Sequence, residues 1–482
     1  MTAPARGRGL LERIAFYGAS RGVTEALLAA RGLLIAAVLG PAAFGGWALL
    51  RLSGRYTALA NFGVFRGLEF ELGAGTATAE ERRRSAASAL GFVLVVFGLL
   101  ALALVGASFL VADPAHRLVL RALAGLSLLE EIYIYGLVCL RMRGALRHYA
   151  AVEIVHAALQ VTCTVGMAHR WGLPGGVAGL MLATSIAAVL ALRGAPALVP
   201  ALDRAALRQL LRVGLPIVAT MALNSLLSSG DRWVVAAFGG TMLLGYYSFA
   251  ASVSGLAATG AWVIRTVIFR DVYGEARTLG AAAAVRAHLA RVVRPYGTLV
   301  PALFGAGAVL VGPAVALMVP RYAAAADAAR IFLLAGGIAG LGTLCSVGVV
   351  AARRQQALPA LSAGALTVNL LVSTAALATG ADLAVVALGG LLAQTLMVAG
   401  VLRLSLRAAG LETGPQAYAR FLGPFVWCSL AVAAATRLSP GVTPGAVGLA
   451  LAAYALLVLP LLPHCRREWR TIRAPAPSVM PA

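Results

Sequence analysis

Apolar stretches of 18 or more residues recur along the whole chain, separated by short segments rich in Arg, Gly or Pro. A helix of about 20 residues covers the ~30 Å hydrocarbon core of a bilayer. The pattern therefore predicts an all-α polytopic membrane protein with fourteen membrane-spanning helices. The predicted spans are 14–39, 44–70, 86–111, 118–140, 149–169, 174–192, 214–238, 242–266, 293–318, 328–351, 357–379, 382–402, 421–437 and 443–463.

The composition supports a membrane protein and leaves no room for a second, soluble domain. Of the 482 residues, 60% are hydrophobic and 12% are charged, whereas a soluble domain carries about 25% charged residues. The longest polar stretches run to about 20 residues, which is too short to fold alone. The five cysteines lie in or beside apolar segments without metal-ligand spacing, so we expect no disulfide, metal site or other cofactor.

All 40 basic residues are arginines, and their positions predict the orientation of the chain. The net charge of +22 is spread among the spans, so nucleic acid is not an expected partner. With the N-terminus inside, 27 arginines fall in cytoplasmic stretches, six in external loops and seven inside spans. This bias follows the positive-inside rule and predicts that both termini are cytoplasmic. The first span lacks a clear signal-peptidase site, so we expect it to stay in the membrane.

The seven intramembrane arginines belong to the first, second, seventh and eighth spans. They are Arg21, Arg31, Arg51, Arg55, Arg66, Arg232 and Arg265. On the second span, Arg51, Arg55 and Arg66 share an arc of about 60° at 100° per residue. Arg21 and Glu25 have the i,i+4 spacing of a helical ion pair. A charge in hydrocarbon costs about 2.5–3.5 kcal/mol on insertion scales, so these residues should face protein or water, unless those near span ends snorkel to the headgroups.

Polar side chains also form stripes on the fifth, seventh and eighth spans. Glu153 and His156 would suit a proton relay, although hydrogen bonding between helices is the simpler interpretation. Asp231, next to Arg232, is either half of a structural pair or an ion-coupling group. The candidate ion-coupling residues are Asp231, Glu25, Glu153 and His156. The neutral residues expected to line a polar cavity are Asn224, Ser228, Ser248 and Ser252.

The arginines of the first half indicate the kind of ligand that such a cavity would accept. Arginine presents a planar fork of donors that matches phosphate and carboxylate. A cavity lined by the seven intramembrane arginines should therefore bind a large polar anion. They form the candidate substrate-binding set.

A faint internal repeat appears at an offset of 200 residues. The segment "VLGPAAFGGW" at 38–47 aligns with "FGGTMLLGYY" at 238–247, so that Gly40 matches Gly240 and Gly45 matches Gly245. Each segment joins a pair of predicted spans. The repeat favours two parallel six-span halves, a common transporter design with the binding site between them.

Two regions resemble bacterial polysaccharide flippases of the Wzx type, in the multidrug/oligosaccharidyl-lipid/polysaccharide exporter superfamily. The first hairpin of that family is similar to "LGPAAFGGWALL" at 39–50 followed by "YTALANFGVFRGLEFEL" at 56–72. The start of its second half is similar to "RVGLPIVATMALNSLLSSGDRWVVAAFGG" at 212–240 followed by "LLGYYSFA". Asn61 departs from the pattern, because an Asp is common there before Phe-Gly.

The resemblance implies two pseudo-symmetric six-helix lobes that form a V around a central cationic cavity, with two extra C-terminal helices. In this sequence the expected parts are an N-terminal lobe at 1–192, a cytoplasmic connection at 193–213, a C-terminal lobe at 214–402, and two further spans with a cytoplasmic tail at 403–482. Within the cavity, the arginines of the first two spans would hold diphosphate or acidic sugars.

The resemblance also implies a function, which is movement of an undecaprenyl-diphosphate-linked oligosaccharide across the bacterial cytoplasmic membrane for surface polysaccharide synthesis. The lipid bilayer, a polysaccharide polymerase and the chain-length machinery are then the expected partners. The sequence lacks a G-x-x-x-x-G-K-[ST] loop, so an ion gradient is the expected energy source. A lipid II flippase and a multidrug/cation antiporter remain alternatives. A membrane glycosyltransferase or polymerase is disfavoured, because the external loops are small and hold few acids.

Overall fold

The computed structural model describes residues 5–73, 78–193 and 199–473, and this part of the chain contains helices and no β-strand. The α-helices are α1 Ala5–Thr57, α2 Val64–Gly73, α3 Ala79–Ser108, α4 Pro114–Met142, α5 Leu146–Arg193, α6 Arg204–Thr278, α7 Ala281–His288, α8 Arg294–Met318, α9 Ala326–Ala351, α10 Leu358–Ala378, α11 Leu383–Ala408, α12 Pro415–Leu438, α13 Pro444–Val458 and α14 Leu462–Arg473. The short helical turns are Ala58–Asn61, Leu289–Val293, Pro320–Ala325, Gln355–Ala357 and Leu459–Leu461. The predicted all-α membrane fold is confirmed.

Within the described residues, eleven helical segments are long and apolar enough to cross a membrane. The difference from the fourteen predicted spans lies in α1, α5 and α6, each of which combines two of them. Each of these helices contains one glycine with a non-helical, positive φ: Gly40 (φ 72°), Gly172 (φ 62°) and Gly240 (φ 69°). Only glycine adopts such a backbone conformation readily.

Side-chain contacts show that the chain reverses direction at these glycines. The Arg31 guanidinium lies 5.9 Å from the centre of the Trp47 ring, and Tyr247 donates a 2.7 Å hydrogen bond to Asp231. Both pairs are 16 residues apart and would be about 24 Å apart on a straight helix. Each long helix is therefore a hairpin of two antiparallel arms. Eleven segments with three of them divided in this way give fourteen arms, while the number of membrane crossings stays a prediction.

The hairpin at Gly172 closes by the same kind of reversal. A Cβ on Gly175 would lie 2.2 Å from the Met167 carbonyl oxygen, and one on Gly179 would lie 2.4 Å from that of Cys163. These two contacts are symmetric about residue 171, as antiparallel arms require. Absence of a side chain lets the backbones of the arms touch, the usual role of small residues in membrane helix packing.

Acidic caps start the helices at their ends outside the apolar segments. Asp203 accepts hydrogen bonds of 2.9 Å from the backbone N–H groups of Ala205 and Ala206 at the start of α6. The Ala206 N–H, with a contribution from Arg84, holds the pKa of Asp203 below its usual value. At the start of α4, Asp113 caps the N–H of Ala115 in the same way. Such caps satisfy backbone donors that have no partner within the helix.

The chain forms two compact units, which do not follow the linear order of the sequence throughout. The first comprises Met1–Ser229 with Gly239–Gly245, and the second comprises Gly230–Phe238 with Tyr246–Ala482. Residues 214–229 therefore pack within the first unit, although the sequence placed them in the C-terminal lobe. The lobe boundaries, the V and the central cavity stay predictions.

Within the first unit, glycines let the second arm of α1 lie directly against α6. A Cβ on Gly45 would be 1.6 Å from the Thr241 carbonyl oxygen, and one on Gly245 would be 1.9 Å from that of Pro41. Gly40 and Gly240, which the repeat aligns, are the two reversing glycines, with ψ of 171° and −170°. The aligned glycines are thus structurally equivalent, and Gly45 and Gly245 contact each other's hairpin tip reciprocally.

Candidate substrate and coupling sites

The first charged group of the first unit joins the two polar stripes of α1 and α5. Arg21 pairs with Glu25 at 2.6 Å, which is the predicted i,i+4 ion pair, and with Glu153 at 3.0 Å. One guanidinium thus holds two carboxylates. The Glu153 side chain is 10% exposed and that of Arg21 is 33% exposed, so the group sits at the edge of the packed interior.

The second group lies further along the same helices, with Arg31 ten residues after Arg21 and Gln160 seven residues after Glu153. Arg31 hydrogen-bonds the side-chain oxygen of Gln160 and lies over Trp47. The amide nitrogen of Gln160 is 2.9 Å from Nε2 of His156, which is 3.3 Å from the Thr184 hydroxyl. Arg31 makes no ion pair with a carboxylate in the part of the chain that the structure describes. His156 is buried in this network rather than exposed to a water path.

The third group connects the second arm of α1 with α4 and contains two adjacent acids, Glu130 and Glu131, that are not among the residues predicted from the sequence. Arg51 pairs with Glu130 at 2.6 Å. Asn61 donates to Glu131 at 3.2 Å, and its side-chain oxygen accepts from the Gly63 N–H, which fixes the amide orientation. Glu131 is 1% exposed and makes no ion pair with an arginine among the described residues. The departure from Asp at position 61 thus supplies a donor to a buried carboxyl group.

Arg55 and the seventh predicted span meet through hydroxyl groups. Arg55 is 3.4 Å from the Ser228 hydroxyl. The neighbouring Tyr56 hydroxyl lies 2.9 Å from that of Ser229 and 3.3 Å from the Ser225 carbonyl oxygen. Asn224, on the same arm of α6, is exposed. This is a neutral polar surface with one guanidinium, suited to hydroxyl-rich ligands.

Arg66 lies apart from these groups. It pairs with Glu69 at 2.9 Å, and Glu69 also pairs with Arg141 at 2.7 Å. All three side chains are partly exposed, at 44%, 20% and 40%. An exposed network of this kind contributes little to stability, and the geometry favours the predicted interfacial position for Arg66 over a place in a binding site.

The charges of the arginine groups largely balance. Arg21, Arg31, Arg51 and Arg55 carry four positive charges, and three acids form ion pairs with them: Glu25, Glu153 and Glu130. The surplus of positive charge is therefore smaller than the arginine pattern of the sequence suggests. An anion that binds to Arg21 or Arg51 must displace a carboxylate, whereas Arg31 already faces a neutral amide.

Asp231 of the second unit has a different environment from the one its sequence neighbour suggests. Its side chain accepts from Tyr247 at 2.7 Å and from the backbone N–H of Arg232 at 2.9 Å. No ion pair joins the side chains of Asp231 and Arg232 in the described structure, and Nε of Arg232 is buried without a hydrogen-bond partner there. Asp231 is 5% exposed. It is a buried acid stabilised by a phenol.

Further neutral groups approach Asp231 from α10 and α11. A Cβ on Gly390 would lie 3.6 Å from Oδ2 of Asp231 and 3.9 Å from Oδ1 of Asn369. The Ser373 hydroxyl is 3.2 Å from the same Asn369 oxygen. Asn369 and Ser373 are buried at 3% and 0% exposure. This cluster was not identified from the sequence, although two polar residues spaced i,i+4 in an apolar helix were a usable signal.

The remaining predicted residues of the second unit do not join this cluster by any contact among the described residues. Ser252 donates to the Ser248 carbonyl oxygen at 2.9 Å, and the Ser248 hydroxyl is buried without a partner in the described structure. Arg265 is half-buried and makes no ion pair there. Their assignment to a binding site stays a prediction.

Solved structures of transporters share this arrangement of helices. The lipid II flippase MurJ in an inward closed conformation superposes with a TM-score of 0.71 at 12% identity, covering 95% of this chain and 100% of that one. An inward-facing multidrug resistance MATE family transporter of the MOP superfamily gives 0.62 at 14% identity, covering 86% and 96%. This chain has the fold of MOP-superfamily transporters. A MATE in the straight conformation gives 0.57 at 14% identity, covering 88% and 96%.

No protein-family model and no curated protein sequence matches the chain. The resemblance is therefore one of fold. Its structural relatives are transporters and a flippase rather than enzymes.

Proposed function

We propose that this protein flips a lipid-linked oligosaccharide, carried on undecaprenyl diphosphate, across the bacterial cytoplasmic membrane for surface polysaccharide synthesis. The proposal includes cytoplasmic termini, alternating access driven by an ion gradient, and delivery to a polysaccharide polymerase with its chain-length machinery. Its support is the transporter fold together with the charged groups of α1, α4 and α5. The protein then has no catalytic residue of its own.

The observation that carries the proposal is the environment of Arg31. Its guanidinium lies between an amide oxygen of Gln160 and the Trp47 ring, with no carboxylate paired to it in the described structure. Arginine in a partly desolvated site binds phosphate through two parallel hydrogen bonds. Trp47, which is 3% exposed, holds the guanidinium against its ring by a cation–π contact. A diphosphate that binds Arg31 would displace the neutral amide oxygen of Gln160 from the guanidinium, and it would not have to displace a carboxylate.

A matched pair of variants tests this role. Arg121 also has a hydroxyl partner, Ser108, at 3.1 Å and an aromatic ring, Phe109, at 5.3 Å, but it lies near the predicted external end of the fourth span and outside the candidate substrate-binding set. In a deletion strain, Arg31→Gln should abolish surface polysaccharide and accumulate the lipid-linked repeat on the cytoplasmic side. Arg121→Gln should complement. Equal complementation by both variants, at equal protein levels, would remove Arg31 from the site.

Arg51 and Arg55 belong to the same proposed site, and they should differ in how they fail. Arg51→Ala leaves Glu130 without its 2.6 Å partner, so it should lower both export and protein yield. Arg55→Ala removes a long contact to a hydroxyl group and should lower export alone. Quantifying glycan against membrane protein level separates the two results. Unchanged export in both variants would place the substrate elsewhere.

For ion coupling, Asp231 is the best-placed of the four candidates. Glu25 and Glu153 are occupied by Arg21, and His156 is held by Gln160 and Thr184. Among the described residues, Asp231 instead accepts hydrogen bonds from the Tyr247 hydroxyl and the Arg232 backbone N–H and has no ion-pair partner, and a carboxylate without such a partner suits a proton or a hard cation. In vesicles with an imposed proton or sodium gradient, Asp231→Asn should abolish gradient-stimulated transport. Tyr247→Phe should only weaken it, and full stimulation in Asp231→Asn would exclude the coupling role.

A lipid II flippase is the second candidate, because MurJ, whose structure this chain resembles over its full length, is one. Depletion of the protein separates the two functions. Accumulated lipid II with lysis supports the second candidate, and an accumulated polysaccharide repeat with viable cells supports the first. A multidrug/cation antiporter would instead produce drug sensitivity with normal glycans. Polymerisation of glycan by the purified protein would identify an enzyme.

A further inference from the structure

Two clefts of the second unit meet at one end of α8 and α12, and they share no lining residue with the groups described above. The smaller, of about 480 Å³, lies between α8, α12 and α14 and is lined by Arg294, Arg420, Trp427, His464 and Glu468, among others. The larger, of about 790 Å³, is lined by Arg286, Arg294, Arg420, Glu412 and Phe421, among others. Arg294 and Arg420 line both, so the clefts are adjacent, and the two together are called the basic channel here.

An ion pair attaches the C-terminal helix to the wall of this channel. Arg294 pairs with Glu468 at 2.8 Å, and Glu468 is only 5% exposed. Cys465, three residues earlier, lies 3.7 Å from the Thr298 carbonyl oxygen. Glu468 therefore neutralises Arg294 and anchors α14, whose sequence carries four arginines and one acid. The charge that remains available in the channel belongs to other residues.

Arg420 supplies that available charge. It is exposed, and it makes no ion pair or hydrogen bond with any residue that the structure describes. Arg286, across the larger cleft, gives two of its nitrogens to the Ala409 carbonyl oxygen and so holds a fixed position. A basic channel with an unneutralised guanidinium favours an anion.

The other wall of the smaller cleft is apolar and includes Pro424, Trp427 and Leu461. Trp427 is 45% exposed, and its ring nitrogen donates to the Leu457 carbonyl oxygen at 2.9 Å. Val426 and Leu430 of α12 are 57% and 62% exposed. Tryptophan with an apolar face and a satisfied N–H is typical of the headgroup level of a membrane. The cleft thus offers a basic end and an apolar end to one ligand.

We propose that this channel is a binding site for an anionic phospholipid, with its phosphate at Arg420, beside the Arg294–Glu468 pair, and an acyl chain along Trp427. Charge complementarity selects the headgroup, and the exposed apolar residues of α12 accept the chain. The amphipathic α14 closes one side of the site, so bound lipid would connect the C-terminal helix to α12. This site is independent of the proposed transport function, since it shares no residue with the candidate substrate and coupling sites.

The test compares two arginines at opposite ends of the same helix. Arg420 is near the start of α12, and Arg437 is near its end and is also exposed without an ion pair in the described structure. Full-length protein in mild detergent would be titrated with phosphatidylglycerol and with phosphatidylcholine of the same chains, and bound lipid counted by native mass spectrometry. One cation near an anionic lipid surface contributes about fivefold in affinity. Arg420→Gln should lose about that factor for phosphatidylglycerol, whereas Arg437→Gln should lose nothing.

Further probes identify the source of the phosphate. Binding of undecaprenyl phosphate with no binding of phosphatidylglycerol would overturn the phospholipid assignment in favour of a carrier lipid. Competition by millimolar inorganic phosphate would show that the headgroup alone is recognised, and it too would overturn the assignment of an acyl chain at Trp427. Equal binding of both phospholipids, or equal loss in Arg420→Gln and Arg437→Gln, would refute the site. Unchanged elution of the variants on size exclusion establishes that they fold.

Discussion

The contact of Gly45 with Thr241 is the closest backbone approach between the two repeat-related hairpin tips. A Cβ on Gly45 would lie 1.6 Å from the Thr241 carbonyl oxygen, whereas real contacts essentially never fall below 3.0 Å. Gly45→Ala must therefore separate the tips locally by at least 1.4 Å, the difference between these two distances. Because the opposing atom belongs to the backbone, no side chain can rotate away. Overpacking of this kind costs about 1–3 kcal/mol.

Thermal unfolding of purified protein in detergent measures this cost. The first unit has 229 + 7 residues, and domains of that size shift by about 2–4 °C per kcal/mol. The apparent midpoint of Gly45→Ala should thus fall by about 2–12 °C. Two controls isolate the cause: a Cβ on Gly46 meets only the end of the Leu173 side chain, and one on Gly98 meets nothing within 4 Å. Equal midpoints for Gly45→Ala and Gly98→Ala would refute the close approach.

Three further results are expected. Arg21→Gln and Glu153→Gln should each destabilise the protein by less than the ~3–5 kcal/mol that breaking a fully buried pair costs, since Arg21 is 33% exposed. The double variant should lose less unfolding free energy than the sum of the two single losses. Strictly additive losses would contradict the ion pair. Gly172→Ala should cost about 1–3 kcal/mol because its φ is positive, whereas Gly166→Ala, in open space, should not, and equal midpoints would exclude strain. The pKa of Asp203 is lowered in the folded state. The stabilisation that its carboxylate provides is therefore present above the ordinary pKa of about 3.9 and is lost as the pH falls through the lower pKa of the folded state. Thermal midpoints that fall equally between pH 5 and 3 in wild type and in Asp203→Asn would contradict this.

The positions of the helices and of their turns could be predicted from the sequence. Hydropathy places α8 to α11 within a few residues, because each is bounded by charged or Gly/Pro-rich segments. The alignment of Gly40 with Gly240 identified two equivalent turns, since only glycine suits their positive φ. The i,i+4 spacing of Arg21 and Glu25 was also enough to predict their ion pair, because helix geometry alone brings these side chains together.

Contacts between helices could not be predicted in the same way. The spacing on one helix says which residues share a face and nothing about which face of another helix lies opposite. Arg51 and Glu130, 79 residues apart, are therefore an ion pair that only the fold reveals. The adjacency of Asp231 and Arg232 was misleading for the same reason, because neighbours on a helix point about 100° apart.

The hairpins that reverse within one glycine bear on how the chain enters the membrane during synthesis. We expect two arms joined so tightly to insert as one unit, so that polar groups meeting inside the unit are partnered before later helices are synthesised. The contacts of Asp231 with Tyr247 and of Arg31 with Trp47 each lie within one hairpin and can form in this way. Glu153, the second partner of Arg21, is synthesised 132 residues later. Glu25, on the same helix, can pair with Arg21 before that. The isolated seventh span, bearing an unshielded Asp231, would insert less readily than the complete hairpin of 214–266.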